Sequence, residues 1–369
     1  MRRLLKWAGL PVGIAILIVV VLHDGAADVL HILGHAGPAL LWLVPFHALP
    51  LLLDAQAWRL LLDGGAPLGF LWWSATVREA VSRLLPAAGI GGEIVGIRFA
   101  CWKMPEPSRV SASVIIEVMV TIAVQYAFSA LGLVLILVST HHPDALRTIG
   151  LSLLLSLPLP VIAVVLLRRG GIFRAIERWA SHLLGDAHPV LAGVDGAQLD
   201  ADIDALLRRG GLLLRAFLWQ LAGYVLGAFE TWWALRVLGF PVSVGGALAI
   251  EALTQAVRHA AFMVPAGLGV QEAAVVMLAQ IFGVDRETAL SLALVKRMRE
   301  VVFGCLALVS WQVAELVRGR RRAARQTPAL VPSVVPLAGQ PAPAAVPAAV
   351  PSASAARAAR SADERRDAG

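Results

Sequence analysis

Along most of the chain apolar residues run in long blocks with little one-sided period, and arginine collects in the gaps between them. Blocks at residues 7–22, 40–62, 114–138, 149–167, 212–238 and 288–317 approach or exceed the roughly 20 residues a helix needs to cross a bilayer. Two further apolar stretches, 68–102 and 247–282, are each broken near the middle by proline and clustered glycines. Their arms, 68–85 with 90–102 and 247–264 with 267–282, are too short or too polar to span alone and are expected to form re-entrant helix pairs. The pattern predicts an all-α polytopic membrane protein with about six transmembrane helices and two inverted re-entrant pairs. An eight-span alternative, in which the stretch around Pro265 crosses fully twice, puts both ends of the chain on the same sides.

The two breaks repeat each other. Pro86-Ala87-Ala88-Gly89-Ile90-Gly91-Gly92-Glu93 and Pro265-Ala266-Gly267-Leu268-Gly269-Val270-Gln271-Glu272 both run from a proline, through glycines, to a glutamate. Helix breaks at membrane depth (Pro86, Gly89, Gly91, Gly92; Pro265, Gly267, Gly269) free backbone groups that lipid cannot satisfy, so such backbone is expected to line a cavity. A matched pair of interrupted segments is the sequence pattern of a transporter-like site.

Charge sets the expected orientation. Arg2, Arg3 and Lys6 precede the first block, and residues 23–38 hold no lysine or arginine, which puts the N-terminus in the cytoplasm. A cleaved signal peptide ending near Gly25-Ala26-Ala27 is the competing reading of that block. Arg59, Arg78, Arg83, Arg98, Lys103 and Arg109 mark a second cytoplasmic segment, and residues 239–246 without basic residues an external one. Arg318, Arg320, Arg321, Arg322 and Arg325 hold the last helix end inside. The first pair should then dip in from the cytoplasm and the second from the outside. Residues 1–320 form the expected membrane domain, with a cytoplasmic amphipathic segment at 170–210, and the Pro/Ala-rich residues 321–369 a disordered tail.

Composition agrees: 58% of the 369 residues are hydrophobic and 15% charged, against about 25% charged in soluble domains. The net charge of +7 would suggest nucleic acid in a soluble chain, but here the basic residues sit between spans and set topology, so no nucleic-acid partner is expected. Cys101 and Cys305 are too few for a metal site and fall in segments unlike enough to argue against a disulfide. His23, His31 and His35 with Asp24 and Asp28 lack a second cluster to complete a coordination shell, so no metal is expected. No nucleotide loop, hydrolase elbow or zinc-protease motif is present, and neither a cofactor nor an enzymatic activity is expected; Glu93 with Glu272 is the sole acid–base pair a membrane-embedded synthase could use.

Charged residues inside apolar stretches are costly and are therefore the functional candidates. Arg78, Arg83 and Arg98 surround the first break, with Glu79 beside them. Glu251, Gln255, Arg258 and His259 share one face of the second pair's first arm, and Lys296, Arg297, Arg299 and Glu300 lie in the last helix. Basic groups beside freed helix N-termini suit an anion, so Arg78, Arg83, Arg98, Arg258, Lys296, Arg297 and Arg299 are the candidate lipid-headgroup residues. Glu93 and Glu272 would organise that site or carry a proton. The alternative is that these groups form internal ion pairs meeting no ligand, or that Lys296, Arg297 and Arg299 snorkel to the surface. Glu117, Gln125, Gln220 and Glu230 read as hydrogen-bonding groups between spans.

On the two Pro-Gly-Glu stretches and the basic cluster at Lys296, Arg297 and Arg299, residues 1–320 resemble the integral membrane region of lysylphosphatidylglycerol synthases and their stand-alone, flippase-like relatives. That resemblance implies a bacterial inner-membrane protein that flips a lipid. The family's soluble domain, which attaches lysine, is not in this sequence, so aminoacyl transfer is not implied. Asp54-Ala55-Gln56-Ala57-Trp58-Arg59 is similar to a branch associated with hopanoid biosynthesis. The expected function is a lipid translocase or lipid-handling protein for a hopanoid or an anionic phospholipid. A non-transporting scaffold for lipid-biosynthesis enzymes is the alternative. Both chain ends are expected in the cytoplasm.

Overall fold

The computed structural model describes residues 38–85, 91–139, 165, 195–260 and 269–326, and the regular structure among them is helical. One 3-10 turn, Pro38–Trp42, leads into α1 (Leu43–Phe46) and α2 (Ala48–Leu61). Then come α3 (Leu68–Leu84), α4 (Gly91–Ala100), α5 (Pro107–Ser139), α6 (Gly196–Leu207), α7 (Gly210–Val237), α8 (Val244–Ala260), α9 (Val270–Ile281) and α10 (Arg286–Gln326). The chain divides into two compact units, Met1–Arg318 and Gly319–Gly369; the first carries everything that follows. Among the described residues four segments are long and apolar enough to cross a membrane: Ala39–Leu61, Pro107–Val138, Gly210–Val237 and Arg286–Arg320. The blocks expected at 7–22 and 149–167, the amphipathic stretch at 172–184, the histidines before residue 38 and the tail beyond 326 lie outside the described residues.

Polarity is distributed as a lipid solvent demands. On α10, Leu306, Val309 and Val313 are 62%, 59% and 53% exposed, while Arg297, Arg299 and Glu300 are 3%, 6% and 6% exposed. A soluble helix would reverse that order. Lys296, Arg297 and Arg299 therefore do not snorkel; they face inward, because each has a carboxylate partner there. Apolar packing closes the bundle beyond this polar layer. At one end Ile136, Leu235, Ile250, Val275 and Leu292 form the largest core. Toward the other, Ile116, Ile203, Leu212 and Leu61 pack together. Trp73 stacks on Phe99 with ring centres 4.8 Å apart where α3, α4 and α10 meet.

Both interrupted stretches are helical hairpins. At the first, Phe70 and Trp102 have ring centres 6.4 Å apart, so the start of α3 lies beside the end of α4. At the closed end Gly92 presses on α3 so tightly that a Cβ there would lie 2.6 Å from the Arg78 carbonyl oxygen. In the second, a Cβ on Gly246 would sit 3.1 Å from the Phe282 ring, which brings the start of α8 to the end of α9. Gly269 caps α9 with φ of 77°, a conformation glycine adopts without cost. Gly91 and Gly92 open α4, whereas Pro86, Gly89, Pro265 and Gly267 lie outside the described residues.

Helix α6 falls within the segment 170–210 that the sequence marks as amphipathic. Asp195 caps it by accepting from the Ala197 amide at 2.8 Å, and Leu199, Ile203 and Leu206 recur along its buried face against α5. Nearby, Asp63 accepts from Arg109 and from Arg209, each ion pair 2.8 Å long, and ties the end of α2 to the starts of α5 and α7. Cys101 and Cys305 are free thiols.

Candidate functional site

A cavity of about 420 Å³ opens between α2, α3, α5, α7, α8 and α10 at the level of the buried charges. It is lined by Asp54, Glu79, Glu93, Glu117, Glu230 and Glu251 and by Arg78, Arg83, Arg258 and Arg299. Its charged groups form three clusters.

Arg78 holds the first. Its Nη1 donates to both oxygens of Glu117, at 3.0 and 2.9 Å, and its Nη2 to Glu93. The guanidinium carbon lies 4.7 Å from the centre of the Trp58 ring, a cation–π contact that also orients the fork. Gly96 makes room for it, since a Cβ there would sit 2.6 Å from Arg78 Cδ. Glu93 opens α4, so this motif glutamate is fixed by the arginine two turns before the break. Asp54 accepts from Gln220 Nε2 at 3.1 Å beside the cluster, and Thr121 donates to Gln220 Oε1 at 3.2 Å.

The second cluster is a closed ring of six side chains from four parts of the fold. His47, between α1 and α2, contacts Glu79 at 2.8 Å and Glu230 at 2.7 Å. Arg83 lies 3.4 Å from Glu79 and 2.9 Å from Glu300. Arg299 completes the circuit, 2.6 Å from Glu230 and 3.6 Å from Glu300. Arg297 touches Glu300 from one turn earlier at 3.4 Å. In the third cluster Lys296 pairs with Glu251, which also accepts from Thr231 at 2.6 Å and from Gln255 at 2.9 Å. Every one of these charges would be prohibitive in lipid alone; pairing is what permits them.

The sequence-selected residues thus separate. Arg78, Arg83, Lys296, Arg297 and Arg299 are gathered and neutralised by carboxylates. Arg98 stands apart, 54% exposed and bonded to Glu315. Arg258 alone among the cavity guanidiniums makes no ion pair with the described residues, and its Nη1 is buried without a hydrogen-bond partner. Glu272, on the second motif, likewise has a buried Oε2 with no partner. The polar face Glu251, Gln255, Arg258 and His259 lines the cavity as its spacing implies. His47 escaped notice in the sequence. Only Pro45 and Pro50 on either side, which break the helix around it, could have drawn attention there.

Membrane-crossing helices enclosing a buried, charge-lined cavity, with apolar residues turned outward, define an integral membrane protein with an internal polar site. The model of the family described as lysylphosphatidylglycerol synthase TM region matches residues 7–307. The chain belongs to that family, a membrane domain linked to lipid handling. No curated protein and no solved structure matches it.

Proposed function

We propose that the protein moves a lipid between the leaflets of the bacterial inner membrane, with the polar cavity receiving the headgroup. The observation that carries this reading is Arg258: a guanidinium with a free buried donor and no ion pair among the described residues, in a cavity whose other arginines, Arg299 with its own free Nε included, are each held by a carboxylate. An unpaired donor at that depth is costly unless a ligand completes it. Arg258 would take a phosphate or hydroxyl oxygen, and the surrounding carboxylates would accept from headgroup hydroxyls. A headgroup with hydroxyls fits that lining, whether it also carries a phosphate, as phosphatidylglycerol does, or offers hydroxyls alone, as the polyol of a hopanoid does.

Two features support the inverted re-entrant arrangement. The first hairpin starts and finishes at the end of the bundle where Asp63, Arg109 and Arg209 meet, and the second at the opposite end, beside residues 238–243, which lack lysine and arginine. The basic end is the cytoplasmic one by the charge rule, which favours cytoplasmic chain termini. Opposed hairpins around a shared cavity are a common basis for alternating access.

The paired state of the remaining cations favours a second reading, a non-transporting subunit that scaffolds lipid-biosynthesis enzymes. Fluorescent phosphatidylglycerol in proteoliposomes separates them. Wild type and Arg208→Ala, altered at an exposed side chain just past α6, should make inner-leaflet lipid accessible to an impermeant quencher, and folded Arg258→Ala should not. Folded wild type that leaves the inner leaflet protected overturns transport of this lipid.

A further inference from the structure

His47 sits in a set of contacts that no single protonation state satisfies. Its Nε2 is 2.8 Å from Glu79 Oε2 and its Nδ1 is 2.7 Å from Glu230 Oε1. Carboxylates only accept, so both contacts are hydrogen bonds only when the ring is the doubly protonated imidazolium. Yet Arg299 Nη1 also contacts Nδ1, and a guanidinium only donates. The neutral ring, with its proton on Nε2, satisfies Glu79 and accepts from Arg299, but then turns a lone pair toward Glu230. Two self-consistent arrangements therefore compete within one geometry. In the protonated one Nδ1 donates to Glu230, and Arg299 Nη1 serves Glu230 Oε2 alone, at 2.6 Å. In the neutral one Arg299 divides its donor between His47 and Glu230.

The charged groups facing the ring come from three other helices: Glu79 and Arg83 on α3, Glu230 on α7, and Arg299 and Glu300 on α10. The three carboxylates, Glu79, Glu230 and Glu300, face Arg83 and Arg299, with Arg297 a third guanidinium at Glu300, so a proton on His47 is drawn chiefly by the two carboxylates its ring nitrogens touch, Glu79 and Glu230. Phe303 closes the site edge-on, with ring centres 5.0 Å apart. His47 lines the cavity, so protons have a path, and it stands at the joint between α1 and α2, flanked by Pro45 and Pro50.

We propose that His47 is a proton-binding site and that its occupancy decides whether the Ala39–Leu61 span is bonded to Glu230 on α7 or to Arg299 on α10. Proton binding makes a His47–Glu230 bond across that joint; proton loss exchanges it for the bond from Arg299 and leaves Glu230 facing a lone pair. The site would couple a proton to movement of α2 beside the cavity, whatever cargo the cavity takes.

The test uses purified full-length protein in nanodiscs without added lipid substrate. Proton uptake between about pH 8 and pH 5 is counted with an indicator dye, and thermal midpoints are recorded across the same window. Wild type is expected to show a pH-dependent midpoint. His47→Gln should take up one proton fewer and lose that dependence, and His47→Lys, charged throughout, should do the same. A flat wild-type midpoint, or wild-type uptake in either folded variant, overturns the proposal. Neither readout involves lipid movement, so failure of the transport reading leaves this result standing.

Discussion

Arg83 and Gln271 donate to the same oxygen of Glu300, at 2.9 and 3.1 Å. Arg83 belongs to the first hairpin and Gln271 to the second, so the two hairpins, far apart in the chain, meet at one carboxylate on the last helix. Glu300 also receives Arg297 and Arg299. Its removal would take one counter-charge from three buried guanidiniums, though Arg83 keeps Glu79 and Arg299 keeps Glu230, so a loss of up to about 3–5 kcal/mol is expected. Glu300→Ala should therefore lower the folded yield and thermal midpoint sharply, and Glu300→Gln, which still offers an oxygen to Arg83 and Gln271, should do so less. Thermal unfolding in detergent micelles checks the order.

The closed tip of the first hairpin depends on Gly92. A methyl group there meets the Arg78 backbone carbonyl at 2.6 Å, and backbone cannot rotate away as a side chain could. Gly92→Ala should cost about 1–3 kcal/mol and disturb the Arg78–Glu117 pair with it. Gly211→Ala, with open space around the added carbon, should be neutral or slightly stabilising by its helix propensity. Comparing the two midpoints isolates close approach from the general cost of losing glycine.

The hairpins were legible in the sequence because their signals are local. Proline and glycine interrupt a helix within a few residues of where they stand, so arms expected at 68–85 and 90–102 are observed at Leu68–Leu84 and Gly91–Ala100. The buried cations were legible for the same reason: an arginine in an apolar run is conspicuous. Their partners were not. His47 and Glu230 are 183 residues apart, and no periodicity specifies a contact across that separation. Glu79 and Arg83, one turn apart on α3, could have been paired by spacing, and Asp195 with the apolar recurrence after it could have announced α6. That Arg258 would remain unpaired while Arg299 would not is a property of the assembled bundle, invisible until the carboxylates are placed.

Trp58 joins two layers of the site. Its Nε1 donates to Ser113 Oγ at 3.1 Å while its ring lies against Arg78, and the side chain is fully buried. Trp58→Phe retains a weaker ring contact but loses the hydrogen bond and leaves a void, so a cost of about 1–2 kcal/mol is expected. Trp58→Leu should cost more, since the cation–π contact goes as well. Unfolding midpoints of the two variants measure the ring contribution directly.

Asp63 gives the bundle a sensitivity to acid and salt at its basic end. Burial pushes its carboxyl upward, but hydrogen bonds from Arg209 and Arg109, with their charge, outweigh that and hold it below the ordinary aspartate range. A carboxyl depressed in the folded state stabilises fully above its unfolded value of about 3.9, and that stability is lost as pH falls through the lower folded value. The side chains of Asp63, Arg109 and Arg209 are 36%, 45% and 46% exposed, so solvent screening limits the contribution to about 1 kcal/mol or less. Asp63→Asn is the suitable probe because Asp63 has φ of 50°, a region asparagine tolerates, so charge is removed without new backbone strain. The wild-type midpoint should fall more steeply below about pH 4 than that of the variant, and added salt should narrow the gap at neutral pH. Parallel curves would mean that Asp63 joins α2, α5 and α7 through geometry alone, with no net contribution from its charge.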